Sequence, residues 1–138
     1  MMIDNRRKVR EIYDCKYITS DEELYPLQKW YNQLIDKTID KINVADVLRM
    51  LRQKVFLKLA MLKTIEFLKN NIFIGELYDG ELLEKISESD IPLLVPYSND
   101  LKIILKNAIE KGMLHEWSYD GEEKEFKKLV ETVLVKIM

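Results

Sequence analysis

The sequence has few of the residues that form crosslinks, metal sites and turns. Its 138 residues include one cysteine, one histidine, four glycines and three prolines. A single cysteine, Cys15, excludes an internal disulfide, cannot form a zinc site by itself and is typical of a reducing compartment. The scarcity of glycine and proline, with no Ser/Gly/Pro-rich tract, excludes a flexible linker and a disordered tail. We therefore expect residues 1–138 to form a single domain.

Long apolar runs are also missing. No stretch approaches the roughly 18 apolar residues of a membrane-spanning helix, and the basic start lacks the apolar segment of a secretory signal. A formal net charge of -2 provides no general attraction to nucleic acid. We therefore expect a cytoplasmic protein with no membrane contact and no direct nucleic-acid partner.

The sequence is rich in Leu, Ile, Lys and Glu, and its hydrophobic content of 47% is sufficient for one ordinary core. This mixture favours amphipathic helices with charged outer faces. The predicted fold is mainly α, a compact helical bundle of about five to six helices. The stretch from Met113 to Tyr119 is predicted to be either a short strand or a packed connection.

Helix patterns are clearest in the first half of the chain. Apolar residues on one face predict a helix up to Ile35, which starts either at the capping sequence of Ser20 or at Pro26. Asn43 is a suitable cap for the next helix, where apolar residues recur at i, i+3, i+4 and i+7. No Gly or Pro interrupts that pattern for about 27 residues, more than twice the usual helix length of ~11–12. We therefore expect a bend or short break near Gln53 to Phe56.

Proline and glycine residues interrupt the helical pattern in the second half of the chain. Two prolines between Ser89 and Pro96 predict a turn or an extended piece rather than a helix. A helix is predicted to begin at Ser98 or Asn99 and to end at Gly112, where a left-handed terminating residue fits. A last amphipathic helix is predicted after Asp120.

No catalytic constellation is recognisable in the sequence. It contains no glycine-rich phosphate loop, no Gly-x-Ser-x-Gly elbow and no His-Glu-x-x-His pair. Its one histidine, His115, is far along the chain from Cys15, so a Cys-His nucleophile would depend on two unrelated residues. We expect no catalytic residue, no metal ligand and no cofactor, and hence a protein that is not an enzyme.

The densest group of carboxylates surrounds a loop with two glycines, residues 75–80 (Gly-Glu-Leu-Tyr-Asp-Gly), here called the two-glycine loop. Gly75 and Gly80 can adopt positive φ, and Asp79 is a suitable cap for a short helix that follows. An aromatic residue among acids on such a loop is typical of an interface anchor; a solvated acidic face and a divalent-cation site are the alternatives. The candidate contact residues are Glu76, Tyr78, Asp79, Glu81 and Glu84.

The other charged clusters have simpler explanations. The acids at 21–23 and at 122–125 fall in predicted first helical turns, where the helix dipole favours negative charge. Basic residues of the predicted central helix, Arg49 and Arg52 among them, are expected to form its solvated edge. A small helical nucleic-acid-binding regulator that uses these arginines and the basic start is the alternative function. A carboxylate-based hydrolase that binds a divalent cation through the two-glycine loop is a third hypothesis.

The segment from Leu34 to Leu83 resembles the immunity proteins of bacterial contact-dependent growth inhibition (CDI) systems. That family has a Leu-x-Lys-x-hydrophobic-x-x-hydrophobic lead-in, a Val-x-Asp-Leu-Arg-x-Leu-hydrophobic-x-Gln helix, an apolar helix that ends in Asn, and a Gly-Asp-Phe-Tyr-x-Gly-Asp-Leu-Leu loop. The corresponding positions here are Ile35, Lys37, Ile39, Ile42, Val44, Asp46, Leu48, Arg49, Leu51, Gln53, Glu66, Leu68, Asn71 and the segment 75–83. The resemblance runs without gaps over about a third of the chain, and the loop is its most specific part.

The sequence departs from the family pattern at several positions. Phe56 and Leu62 stand where the family tends to have Gly and Pro, and Ile72 replaces a second Pro. Glu76 and Glu81 replace Asp, which preserves the charge of the loop.

The resemblance implies a role as an immunity protein. Such a protein binds the C-terminal toxin domain of its cognate effector, neutralises it and protects the producing cell. These toxins are frequently nucleases with basic clefts, which an acidic loop would complement. Two readings of the loop stay open: Glu76, Tyr78, Asp79, Glu81 and Glu84 contact the toxin, or the loop, with Gly75 and Gly80, is mainly architectural.

Overall fold

The computed structural model describes residues 4–138, and the regular secondary structure of this part of the chain is helical. The α-helices are α1 (Val9–Tyr13), α2 (Pro26–Ile35), α3 (Val44–Gln53), α4 (Leu57–Asn70), α5 (Glu81–Ser87), α6 (Ile91–Leu94), α7 (Ser98–Leu105), α8 (Ala108–Leu114) and α9 (Glu122–Ile137). Single 3-10 turns occupy Ile39–Lys41 and Val95–Tyr97. Residues 4–138 contain no strand, so the mainly α class is confirmed. The predicted five to six helices are too few, because the short helices α1 and α6 were not expected and the helix expected from Ser98 to Gly112 is divided.

The starts of α2 and α3 agree with local capping chemistry. α2 begins at Pro26, where the backbone N–H of Tyr25 donates to the Gln28 side chain at 2.9 Å. The Ser20 hydroxyl instead accepts from the Glu22 N–H in a turn. The predicted cap of α3 is confirmed, since Asn43 Oδ1 accepts from the N–H three residues later at 2.8 Å.

A partly buried ion pair and an indole hydrogen bond hold α2 and the segment that follows it against α3. Asp46, only 5% exposed, accepts from Lys37 Nζ at 2.6 Å and from the Trp30 indole N–H at 3.1 Å. The same carboxylate accepts from the Asn43 N–H at 3.2 Å, so it also completes the start of α3. Lys37 and Asp46 both belong to the motif that resembles the immunity proteins, and their contact gives that part of the motif an architectural role.

The expected break between α3 and α4 is confirmed. α3 ends at Gln53, and both Lys54 and Phe56 adopt left-handed conformations, with φ of 55° and 49°. Such a backbone is costly for a residue with a Cβ. The Phe56 ring stacks with Tyr13 and Tyr31 at centroid distances of 4.5 and 5.9 Å, and this packing offsets the cost at the position where glycine is common in the resembling family.

Lys54→Gly is expected to raise the free energy of unfolding by about 0.5–1 kcal/mol, because glycine adopts the left-handed conformation without strain. Lys54 is exposed, so its side chain contributes little packing. The matched control is Lys127→Gly, an exposed lysine inside α9, which should lower stability by about 1 kcal/mol. Urea unfolding of both variants measures the difference, and equal destabilisation would contradict the role of φ at residue 54.

Two predictions for the second half were wrong. Residues 89–96 do not form an extended piece, because Pro92 and Pro96 lie in the first turns of α6 and of the 3-10 turn, where a missing N–H costs nothing. The helix expected from Ser98 up to Gly112 is divided at residues 106–107. Gly112 does not terminate it but lies buried inside α8, where a Cβ would approach the Phe126 ring to 3.0 Å.

The core is one continuous cluster to which every α-helix contributes a buried apolar residue. α4 is buried on several sides, so that even Lys63 and Thr64 are less than 5% exposed. α9 packs against α5, α6, α7 and α8 and so lies next to the two-glycine loop. Within residues 4–138, no helix combines the length and apolar composition that crossing a membrane requires.

Candidate protein-binding surface

The two-glycine loop joins α4 to α5 in a compact turn that needs both glycines for different reasons. Gly80 has φ of +83° and precedes α5, so the predicted positive φ is confirmed there. Gly75 does not adopt positive φ, which corrects the prediction. A Cβ at Gly75 would overlap the Tyr78 carbonyl oxygen and lie 2.7 Å from the Glu81 Cβ. Gly75 is therefore required by the close approach of the chain to itself.

The buried carboxylate of Glu81 stabilises the loop through hydrogen bonds. Its Oε1 accepts from the backbone N–H of Glu76 at 2.8 Å and of Leu77 at 2.9 Å, and the residue is only 8% exposed. Hydrogen bonds to an ionised acceptor are stronger than neutral ones, so this carboxylate clamps the chain reversal. Among the predicted contact residues, Glu81 thus has the position of an architectural residue.

The tip of the loop exposes two large apolar side chains. Leu77 is 79% exposed and Tyr78 is 50% exposed, and the acids Glu76 and Asp79 on either side are exposed as well. Leu77 was missed in the sequence analysis, although an apolar residue at the centre of a short glycine-framed loop is itself a signal of a binding tip. The loop therefore presents apolar area between negative charges.

Tyr78 is held in place by Glu84, one turn into α5. Its hydroxyl donates to Glu84 Oε2, and this hydrogen bond, with desolvation, raises the pKa of Tyr78. The phenol therefore stays neutral and remains a donor at physiological pH. The ring is fixed across the loop instead of moving freely in solvent.

Asp79 connects the loop to the segment between α8 and α9. Its Oδ2 lies 2.7 Å from Nε2 of His115, whose ring stacks on Phe73 at a centroid distance of 3.9 Å. The prediction that Asp79 caps α5 is wrong, because Gly80 occupies the cap position and the Asp79 side chain faces His115. His115 is partly exposed, and its contact with Asp79 across 36 residues of sequence was not foreseen.

An aromatic cluster packs against the two-glycine loop and supports it. Phe126 of α9 lies 5.1 Å from Phe73 and 5.3 Å from Trp117, between ring centroids. The Trp117 indole N–H donates to the Gly112 carbonyl at 2.8 Å, and Phe126 lies beside Gly80. Met113 and Leu114 form the end of α8, and the remaining residues up to Tyr119 form a packed connection without a strand. It ties the two-glycine loop to α8 and α9.

A groove of about 690 Å³ is lined by residues of the two-glycine loop, α5 and α9. Tyr78 and Glu84 come from the loop and α5, and Tyr119, Glu122 and Glu125 come from the start of α9 and the residues before it. The Tyr119 hydroxyl donates to Glu125 Oε2 at 2.7 Å, a second Tyr–Glu pair opposite Tyr78 and Glu84, and this bond raises the pKa of Tyr119. Glu122 and Glu125 were interpreted from sequence as dipole-favoured acids and not as site residues.

Several of the basic residues that motivated the alternative function contact neighbouring groups. The Arg49 guanidinium lies 5.6 Å from the Trp30 ring centroid, and the exposed Arg52 lines a small groove with Glu81, Glu84 and Glu88. Lys8 and Arg10 both contact Asp36 at 3.2 Å. Within the described residues no group of three His, Cys, Asp or Glu is arranged to hold a metal ion.

The sequence model of a family described as CDI immunity proteins matches residues 11–104. This chain belongs to that family. The matched span includes the Lys37–Asp46 pair, the α3–α4 break and the whole two-glycine loop, and it ends within α7. No curated protein gives a significant match to the chain. The family membership confirms the resemblance seen in the sequence.

Proposed function

We propose that this immunity-family protein binds the cognate C-terminal toxin domain of a contact-dependent growth inhibition effector, neutralises it and so protects the producing cell. It acts as one domain in the cytoplasm, as a stoichiometric inhibitor without an enzymatic activity of its own. The observation that carries the proposal is the two-glycine loop, which presents exposed Leu77 and Tyr78 on a rigid, hydrogen-bonded base.

The construction of the loop supports a binding role. A preformed tip loses little conformational entropy when a partner binds, so more of the contact energy appears as affinity. Tyrosine is enriched among the few residues that dominate interface energies. We propose Glu76, Leu77, Tyr78, Asp79 and Glu84 as toxin contacts, with Gly75, Gly80 and Glu81 as the residues that shape the loop.

The charge of the loop supports a basic target. Glu76, Asp79 and Glu84 surround the tip, and such acids would complement the cleft of a nuclease toxin and accelerate encounter. An immunity protein that covers a basic cleft blocks access of the nucleic-acid substrate without any chemical step. The toxin is accordingly proposed to be a nuclease.

Co-expression with the toxin domain of the cognate contact-dependent inhibition effector tests the proposal. Wild-type protein is expected to restore growth, whereas Leu77→Ala/Tyr78→Ala should fail, because loss of two central apolar contacts typically weakens binding by about 100-fold or more. The matched control is Ile103→Ala/Tyr17→Ala, which removes an aliphatic side chain and a tyrosine of similar exposure, 71% and 48%, that lie outside the loop and do not line the groove.

The outcomes distinguish the neutralising function from the position of the toxin-binding surface. Growth inhibition that persists in the presence of soluble, folded wild-type protein contradicts the neutralising function. Full rescue by the loop variant, with loss of rescue in the control variant, contradicts the assignment of the loop as the contact surface.

A further inference from the structure

We infer that the groove between the two-glycine loop and α9 receives an arginine side chain of the toxin; this inference rests on the proposed function. The groove continues from the exposed tip of the loop, because Tyr78 belongs to both. Its lining includes the apolar side chains of Trp117, Phe126 and Leu129. A partner that covers Leu77 and Tyr78 must therefore also face the groove.

The charges along the groove select a cation. Glu84, Glu122 and Glu125 line it, whereas Lys128 is the only basic residue among its lining residues within the described chain. Glu84 and Glu125 each receive one hydrogen bond from a tyrosine hydroxyl, and a carboxylate has about four acceptor positions in all. Both carboxylates therefore retain free acceptor positions. The same charges repel phosphate, which disfavours nucleic acid as the occupant.

The aromatic residues favour arginine over lysine. Tyr78 and Tyr119, from different segments of the chain, both line the groove and are each about half exposed, at 50% and 54%. A planar guanidinium stacks on such rings and donates two parallel hydrogen bonds to a carboxylate. An ammonium group has neither the plane nor the fork geometry. Each Tyr–Glu pair offers the ring and the carboxylate side by side.

Two double variants with the same change of charge test the groove by calorimetric titration of the purified toxin domain. Glu122→Gln/Glu125→Gln removes two groove carboxylates and is expected to weaken binding by about tenfold or more. The control, Glu116→Gln/Glu131→Gln, removes two exposed carboxylates that do not line the groove and should change the affinity by less than about twofold. Thermal unfolding checks that both variants are folded, and Glu125→Gln alone replaces the double variant if that one is not.

Arginine-to-lysine substitutions in the toxin test the identity of the occupant. One toxin Arg→Lys variant should bind wild-type protein about tenfold more weakly, yet lose little further affinity for Glu122→Gln/Glu125→Gln, because the same contact is already lost. The inference would be overturned if the groove variant and the control variant bound the toxin equally well. It would also be overturned if the groove carboxylates were coupled only to a lysine or an apolar residue of the toxin. Neither result would contradict the proposed function. No binding of wild-type protein would overturn both.

Discussion

Gly75→Ala is expected to lower the free energy of unfolding by about 3 kcal/mol and to abolish neutralisation of the toxin. The added Cβ would overlap the Tyr78 carbonyl oxygen and press on the Glu81 Cβ. Neither atom lies at the end of a flexible side chain, so the loop itself must move. That movement would separate Glu81 from the N–H groups of Glu76 and Leu77 and release the binding tip.

Gly121→Ala is the matched control for that substitution. Gly121 directly precedes α9 and, unlike Gly75, has a positive φ of +95°, but a Cβ there would have no neighbour within 4 Å. Its cost should be limited to the left-handed backbone, about 1–2 kcal/mol. Urea unfolding gives both values. A Gly75→Ala variant that is as stable as Gly121→Ala, and that still neutralises the toxin, would show that the close approach at Gly75 is unimportant.

Phe126→Ala is expected to lower the free energy of unfolding by about 3–5 kcal/mol, the range for removing a large buried ring. Phe126 is 3% exposed and packs against Phe73 and Trp117. Its ring also lies beside Gly80 and Gly112. Its loss would leave a cavity between α9 and the two-glycine loop. The variant should therefore lose affinity for the toxin in addition to stability.

Val130→Ala separates these two effects. Val130 is fully buried on the same helix but is not part of the aromatic cluster that supports the loop. It should cost stability while leaving toxin affinity nearly unchanged under conditions where both variants are folded. Chemical unfolding and calorimetry on the two variants give the comparison. Equal affinities would mean that the aromatic cluster does not position the loop.

Features determined by neighbouring residues could be predicted from the sequence. The Asn43 cap depends on side chains within a few positions and was predicted correctly. The start of α2 at Pro26 was one of two predicted starts, and the capping sequence at Ser20, the other predicted start, forms a turn instead. The α3–α4 break was also predictable, because an uninterrupted pattern of that length exceeds a normal helix. The class of the fold followed from the same periodicity.

Features determined by distant residues could not be predicted. Gly112 resembles a helix terminator in sequence, yet it is required because Phe126 packs against it from α9. Asp79 resembles a cap, yet its side chain pairs with His115. In both cases a contact between distant segments replaced the expected local role.

The candidate site was predictable only in part. The two-glycine loop was identified from its composition and its resemblance to the immunity proteins, whereas the opposite wall of the groove was not. Glu122 and Glu125 have a sufficient local explanation in the helix dipole, so their sequence positions give no reason to look further. Only the packing of α9 beside α5 brings them opposite Tyr78.

Hydrogen exchange of this protein, measured with and without the purified toxin domain, tests whether the two-glycine loop and the start of α9 form the toxin-binding surface. We expect slower exchange of backbone amides in residues 75–80 and 119–125 in the complex, with little change in α2 and α3. Unchanged exchange throughout the chain in the presence of excess toxin, or slowing confined to α2 and α3, would contradict this expectation.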